Sequence, residues 1–127
     1  MLRPGERLFL REAHPVLWSL DEKRDDALVI DFPYFEREAP LVYDDSETYV
    51  DTDATFTHTT GHCWNHGLGD IVTALLDEGM ALTQLVEHDS IPWNALPGQM
   101  TQLDGGEWRL ADRPERLAHS YTLQARR

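Results

Sequence analysis

Between Trp64 and Glu87 the hydrophobic and polar residues follow first a helical pattern and then a strand-like one. Asn65 is suited to the N-cap of the helix, and Gly79 is suited to the left-handed position that closes it. From Leu82 onward the period changes to two, as in a strand. The stretch therefore predicts a helix followed directly by a strand. The apolar residues that form one stripe on the helix are Leu68, Ile71, Val72, Leu75, Leu76 and Met80.

Alternating patterns predict two more strands, one near each end of the sequence. Residues 7–12 alternate around Leu8 and Leu10, and Pro15 ends this strand because proline cannot donate to a ladder. Near the other end, residues 120–126 carry alternating apolar side chains: Tyr121, Leu123 and Ala125. We expect both strands to be half-buried.

The remaining patterns are shorter. Residues 42–60 are rich in Tyr, Val, Thr and Phe, which predicts a hairpin or two loosely paired strands with a break near 51–53. Residues 16–20 predict a short helical turn, and residues 27–32 a short extended run. Residues 107–110 predict a short strand, which follows a Gly-Gly turn.

The composition restricts the partners and the compartment. A net charge of −12 over 127 residues argues against nucleic acid or an anionic membrane as a partner, because phosphate groups select for Lys and Arg. The single cysteine, Cys63, excludes an internal disulfide and fits a reducing cytosol. No apolar run approaches the ~20 residues that a membrane helix needs. We therefore expect one cytoplasmic domain that spans residues 1–127.

A metal site needs consideration because three histidines and the cysteine fall close together, at His58, His62, Cys63 and His66. However, a strand through His58 and a turn at Gly61 do not put all four side chains on one face, and no second cysteine is present. We expect no metal here, with His62 in a loop and Cys63 buried. A small metalloprotein is the alternative that we rank last.

Two pairs of residues are candidates for binding a substrate. Glu12 and His14 end a strand at its carboxyl end, where open α/β sheets place their ligands, and they can orient a substrate or move a proton. Trp64 and His66 precede the helix, whose first N–H groups attract negative or polar groups. The alternatives are a solvated loop shaped by Pro15 for the first pair, and a hydrophobic staple beside an exposed histidine for the second. Four aromatic residues fit either a pocket wall or a core: Trp18, Tyr34, Phe35 and Tyr43.

The order of these elements resembles the C-terminal half of the class I S-adenosylmethionine-dependent methyltransferases. Leu2-Arg3-Pro4-Gly5, followed by residues 8–15, is similar to the Pro-Gly turn and fifth strand of that family, with Glu6 where a second glycine is common. The other pieces follow in the same order: a helix start at Trp64-x-His66, a helix end at Leu75-Leu76-Asp77-Glu78-Gly79, a sixth strand at Leu82 to Glu87 and a seventh strand at Ser120 to Arg126. The closing strand resembles that of the small-molecule members.

The resemblance implies an α/β fold with a partial Rossmann-like methyltransferase sheet. The strands near Leu8, Leu82 and Leu123 would lie side by side, with the last strand between the other two and antiparallel to both. One main helix would cover one face, and the β-rich segment 42–60 would fold over the edge of the cleft as a cap. Glu12, His14, Trp64 and His66 would border the substrate.

The family transfers a methyl group from S-adenosylmethionine, which it binds through a Gly-rich turn after the first strand and an acidic residue at the end of the second. No G-x-G-x-G occurs in this sequence, and Gly67-Leu68-Gly69 opens a helix instead of following a buried strand. We therefore expect residues 1–127 to be the substrate-side part of a larger small-molecule methyltransferase. On its own this part would be inactive and would bind no cofactor.

The main alternative is a stand-alone binding or dimerisation domain that has lost catalysis. In the resembled fold the strand at residues 7–12 has a further neighbour, which this chain lacks. Its backbone groups would then be free to pair with another chain. The sheet face opposite the helix would leave Leu and Phe side chains in water. We therefore expect a homodimer, or pairing with a missing N-terminal half, in addition to a small-molecule substrate.

Overall fold

The computed structural model describes residues 2–44 and 57–127, and in them the chain forms one α-helix and seven strands. The elements in chain order are β1 (Arg7–Ala13), β2 (Leu41–Asp44), β3 (Thr60–Cys63), α1 (Leu68–Asp77), β4 (Ala81–His88), β5 (Met100–Gln102), β6 (Trp108–Leu110) and β7 (Ser120–Arg126). The fold is mixed α/β, and the paired strands are antiparallel. In the described ranges, no helix has the length and apolar character needed to cross a membrane.

The main sheet has three strands in the order β1-β7-β4, and β7 runs antiparallel to both neighbours. This order and these directions are the ones predicted for the strands near Leu8, Leu82 and Leu123. Because β1 and β4 run the same way, both finish where β7 begins. We call this the carboxyl end of the sheet. A bulge between Leu82 and Gln84 shifts the register of β4 against β7.

Helix α1 covers one face of this sheet. The inward residues of β7, among them Leu123 and Ala125, are almost completely buried under it. Leu76 was predicted to belong to the apolar stripe, but its side chain is 52% exposed, so that prediction is wrong. The stripe on the helix is therefore narrower than its sequence suggests. The helix residues that pack on the sheet are Leu68, Ile71, Val72 and Leu75.

The two ends of α1 differ in how well the sequence predicted them. The C-terminal end is confirmed: Gly79 has a φ of +73°, its N–H donates to Leu76, and the N–H of Met80 donates to Leu75. This hydrogen-bond pair is the Schellman motif. The N-cap is Gly67, so the prediction for Asn65 is wrong. The cap position has no side chain that bonds to the helix.

A second cluster of buried residues lies beside the carboxyl end of the sheet, and the sequence pattern did not indicate it. In this cluster the end of β1 packs against a short 3-10 turn and the β5–β6 hairpin. The 3-10 turn spans Leu17–Ser19, within the turn predicted at residues 16–20. Of this hairpin only β6 was predicted. The buried members are Ala13, Leu17, Leu20, Ile91, Leu96, Leu110 and Leu117.

The sheet face opposite α1 is mostly polar and open. We predicted that Leu and Phe side chains on this face are exposed to water, and for Phe9, which is 66% exposed, this is confirmed. For leucine the prediction is wrong, because Leu8 and Leu10 pack in the cluster under α1. On the open face Arg11 lies 2.7 Å from Glu107 and ties β1 to the loop before β6.

The two ends of the segment predicted as a β-rich cap, residues 42–44 and 60, lie in a separate two-stranded sheet of β2 and β3. The predicted break at residues 51–53 lies outside the described residues. Two expectations on β3 are wrong, because His62 lies in this strand and Cys63 is exposed. Among the described residues this sheet has only two strands, and three of the four residues of β3 are exposed. The run at 27–32 makes only an isolated bridge, between Leu20 and Ile30.

Candidate functional site

Two glutamates flank a buried tyrosine at the carboxyl end of the sheet. Glu12 of β1 and Glu87 of β4 both stand directly opposite Tyr121 of β7. Opposite residues of antiparallel strands point to the same face, so these three side chains share the face that α1 covers. Tyr121 is 2% exposed, and burial raises the pKa of its hydroxyl, with Glu12 adding to the effect. We call Glu12, Tyr121 and Glu87 the carboxylate row.

His14, predicted to border a substrate, is buried beside this row and is not part of a solvated loop. Its imidazole lies edge-on to the Tyr121 ring at 6.2 Å, and its Nδ1 accepts the N–H of Val16 at 3.1 Å. Its Nε2 lies 2.9 Å from Oε1 of Glu87 without the geometry of a hydrogen bond. Because Nδ1 is an acceptor, the ring proton of the neutral form is on Nε2. The imidazole therefore presents an N–H toward the row.

His119 joins the two outer strands at the same end of the sheet. Its backbone N–H donates to His88 at 2.8 Å, and its carbonyl accepts from His14 at 2.9 Å. The ring is completely buried, and neither ring nitrogen has a hydrogen-bond partner among the described residues. Burial lowers the pKa of His119, although the Leu117 backbone and Asp89 oppose this in part. The folded state therefore favours a neutral imidazole.

This burial predicts that acid destabilises the fold. His119 is protonated more readily in the unfolded chain, so its contribution to stability is full above the ordinary pKa of about 6.5 and is lost as pH falls toward the lower folded pKa. We expect the free energy of unfolding in urea to fall between about pH 7.5 and 5.5, a window above the carboxyl pKa values. In His119→Phe this fall should be smaller, whereas the exposed control His62→Phe should match the wild type. An equal fall in all three proteins would contradict this role.

Asn65 connects the start of α1 to the carboxyl end of the sheet. Its amide donates to the carbonyls of Pro15 at 2.9 Å and Pro33 at 3.2 Å, which explains why it does not cap the helix. Beside it, the predicted site residue His66 lies 3.1 Å from Glu36, and both side chains are about half exposed. The Tyr34 hydroxyl accepts the N–H of Leu68 at 3.2 Å. The segment before the helix therefore lies next to the loop that follows β1.

Trp64, the fourth predicted site residue, is 46% exposed and is not a buried staple. It lines a depression of about 10 Å³ together with Phe35, Arg37 and Cys63. That volume is about enough for a single water molecule, so this depression is too small for a substrate. A wider, open depression of about 530 Å³ between residues 22–25 and 97–98 shares no lining residue with the carboxyl end of the sheet.

The predicted site residues thus fall into two groups. Glu12 and His14 belong to one constellation with Tyr121 and Glu87, whereas Trp64 and His66 lie on the neighbouring loop. Sequence reasoning missed Glu87. The signal that could have identified it is its place at the end of the predicted strand at Leu82 to Glu87, which was expected to run parallel to the strand at residues 7–12. In residues 2–44 and 57–127, no three His, Cys, Asp or Glu side chains are placed to hold a metal ion.

Comparisons with known proteins do not assign the chain to a family. No family model, no curated protein and no solved structure matches it. The function is therefore argued from the residues and geometry described above.

Proposed function

We propose that the chain is the substrate-side part of a class I S-adenosylmethionine-dependent methyltransferase that acts on a small molecule. The observation that carries this proposal is the strand order β1-β7-β4 with an antiparallel central strand. The same order joins the fifth, seventh and sixth strands in the resembled family. Helix α1 lies between β1 and β4 in the sequence and packs on the sheet, as the family's last helix does.

The position of the polar residues supports a substrate role. Glu12, His14 and Glu87 gather where β1 and β4 end, which is the end at which open α/β sheets bind their ligands. Methyl transfer from a sulfonium is an in-line displacement, so the protein contributes mainly by positioning the two reactants. In this proposal, these residues orient the methyl acceptor, and the cofactor is bound elsewhere.

This proposal predicts that the chain alone does not bind S-adenosylmethionine, because its sequence has no G-x-G-x-G turn. Calorimetric titration should detect no binding to residues 1–127. The test continues with a longer protein that adds the coding sequence directly upstream. That protein should contain a Gly-rich turn after a buried strand and should bind one S-adenosylmethionine. Micromolar binding by the chain alone, or no binding by the longer protein, would contradict the proposal.

The second candidate is a stand-alone binding or dimerisation domain. The observation that favours it is the openness of the main sheet: among the described residues, β1 pairs only with β7 and β4 pairs only with β7. Phe9 and Val86 are exposed on the face opposite α1. Such edges and faces suit pairing with another chain. The oligomeric state tests this candidate, as argued in the Discussion.

A further inference from the structure

The buried apolar residues of the described ranges form two clusters that share no member. One, which we call the helix cluster, lies between α1 and the main sheet and contains Met80, Tyr121, Leu123 and Ala125. The second cluster is built mostly from the connection after β1 and the connection between β4 and β7. Both connections leave the sheet at its carboxyl end, and α1 lies in neither of them. The second cluster can therefore open without breaking a strand pair of the main sheet.

His119 lies where the two clusters meet. In the sequence it stands midway between Leu117 of the second cluster and Tyr121 of the helix cluster. Its backbone joins the ends of β1 and β4 through the hydrogen bonds to His14 and His88. Its ring is completely buried, and neither ring nitrogen has a hydrogen-bond partner among the described residues. A neutral imidazole therefore closes the junction between the clusters.

A proton on this imidazole would create a buried charge without a bonded anion, which is unfavourable. When the junction opens, water solvates the ring and the charged form is no longer penalised, so acid favours the open state. His14 is also buried, but its Nε2 lies 2.9 Å from the carboxylate of Glu87. A protonated His14 therefore has a counter-charge in the closed state, whereas a protonated His119 does not.

The charged groups around His119 do not change this conclusion. Burial lowers the pKa of His119 more than the Leu117 backbone and Asp89 raise it. The Asp89 carboxylate also lies 3.7 Å from Arg109, whose positive charge offsets its effect on the ring. The imidazole of His88 bonds to a threonine hydroxyl at 2.8 Å. The other ionisable residues at this end of the sheet and in the connections that meet there are Arg11, Glu12, His14, Glu87, Glu107, Glu115, Arg116 and Tyr121.

We propose that His119 is an acid-sensitive lock between the two clusters: protonation of its imidazole releases the second cluster from the carboxyl end of the sheet, while α1 and the main sheet stay folded. Because the N–H of His14 donates to the carbonyl of His119, this release also frees His14 from its place beside Tyr121. The carboxyl end of the sheet is then assembled only while His119 is neutral. Neither the lock nor its test depends on the methyltransferase proposal.

Two optical signals follow the two parts of the molecule separately during urea unfolding. Three tryptophans lie in the connections that build the second cluster: Trp18 and Trp93 stack on each other at 6.3 Å, and Trp108 packs against the cluster. The measurement uses the variant Trp64→Phe, in which these three are the only tryptophans left, so that fluorescence reports on the second cluster. Far-UV circular dichroism reports on α1, the one α-helix of the described residues.

The separation between the two unfolding transitions should be wider at about pH 5.5 than at about pH 7.5, with fluorescence changing at the lower urea concentration. The equilibrium constant for release should rise up to about tenfold, which is the limit for one group with an ordinary pKa of about 6.5. Transitions that coincide at both pH values would show that the second cluster opens only when the whole fold unfolds, and would overturn the proposal.

Variants made in the same background assign the effect to one histidine. In His119→Phe the separation should be the same at both pH values, because no proton is taken up at the junction. The exposed control His62→Phe should behave as the parent protein does. A widening in His119→Phe equal to that of the parent would mean that another group is responsible, and the lock would be wrong.

An NMR titration of the wild type tests the lock without any variant at position 119. While the second cluster is closed, the imidazole signals of His119 should not titrate near pH 6.5. Titration with that ordinary pKa, while the backbone amide signals of Leu110 and Leu123 stay unchanged, would show that the closed fold accommodates the charge. That result would overturn the proposal even if His119→Phe does not fold.

Discussion

Replacing Leu123 with alanine is expected to lower the free energy of unfolding by about 3–5 kcal/mol. Leu123 is in the central strand, with Leu10 and Leu85 directly opposite it on the two neighbours, and it is completely inaccessible to solvent. The helix face of the sheet and α1 meet over this side chain. Its truncation therefore leaves a cavity in the middle of the contact between α1 and the sheet.

The matched controls are two leucines of α1. Leu75 is half-buried against the same cluster, so Leu75→Ala should cost about 1–2 kcal/mol, and the half-exposed Leu76→Ala less than about 1 kcal/mol. Urea unfolding monitored by tryptophan fluorescence measures all three. Equal losses for Leu123→Ala and Leu76→Ala would show that α1 does not pack on the sheet in this register. If Leu123→Ala does not fold, Leu123→Val keeps the comparison possible, with an expected loss of about 1 kcal/mol.

The parts of the fold that the sequence predicted are those encoded by short-range patterns. The end of α1 depends on Gly79 and the residues just before it, and the strands β4 and β7 depend on alternation within eight or fewer residues. The central position of β7 did not follow from periodicity. It came from the resemblance in the order of the elements, which is long-range information.

Two of the errors and omissions arise because tertiary contacts decided the outcome. Asn65 has a side chain suited to an N-cap, but its amide instead donates to the carbonyls of Pro15 and Pro33. These two residues are 50 and 32 positions away from Asn65 in the sequence. The partner of His14 is Glu87, on a strand that pairs with β7 and not with β1. No local pattern in the sequence indicates either contact.

The last prediction concerns the open edge of β1, and its expected result is a doubled molecular mass. The outer side of β1 has no paired strand among the described residues, and Phe9 is 66% exposed beside it. Backbone N–H and C=O groups in such a strand can pair with a second copy. An ordinary interface buries about 800 Å² per partner, and in this dimer the edge and the open face would form it together. We therefore expect a homodimer.

Charge opposes this dimer, and that opposition supplies the test. Two chains of net charge −12 repel each other, so light scattering should give a larger dimer fraction at about 500 mM salt than at about 50 mM.

The variant Phe9→Lys should be monomeric at both salt concentrations, because it places a charge on the edge strand without disturbing the core. Ile30→Lys makes the same change at a side chain that is 73% exposed and outside the main sheet, and it should leave the dimer intact. A monomer mass for the wild type at about 100 μM and high salt would defeat the dimer. Under the methyltransferase proposal, the open edge of β1 would then be the place where an N-terminal half attaches, because in the resembled fold the fourth strand lies beside the fifth.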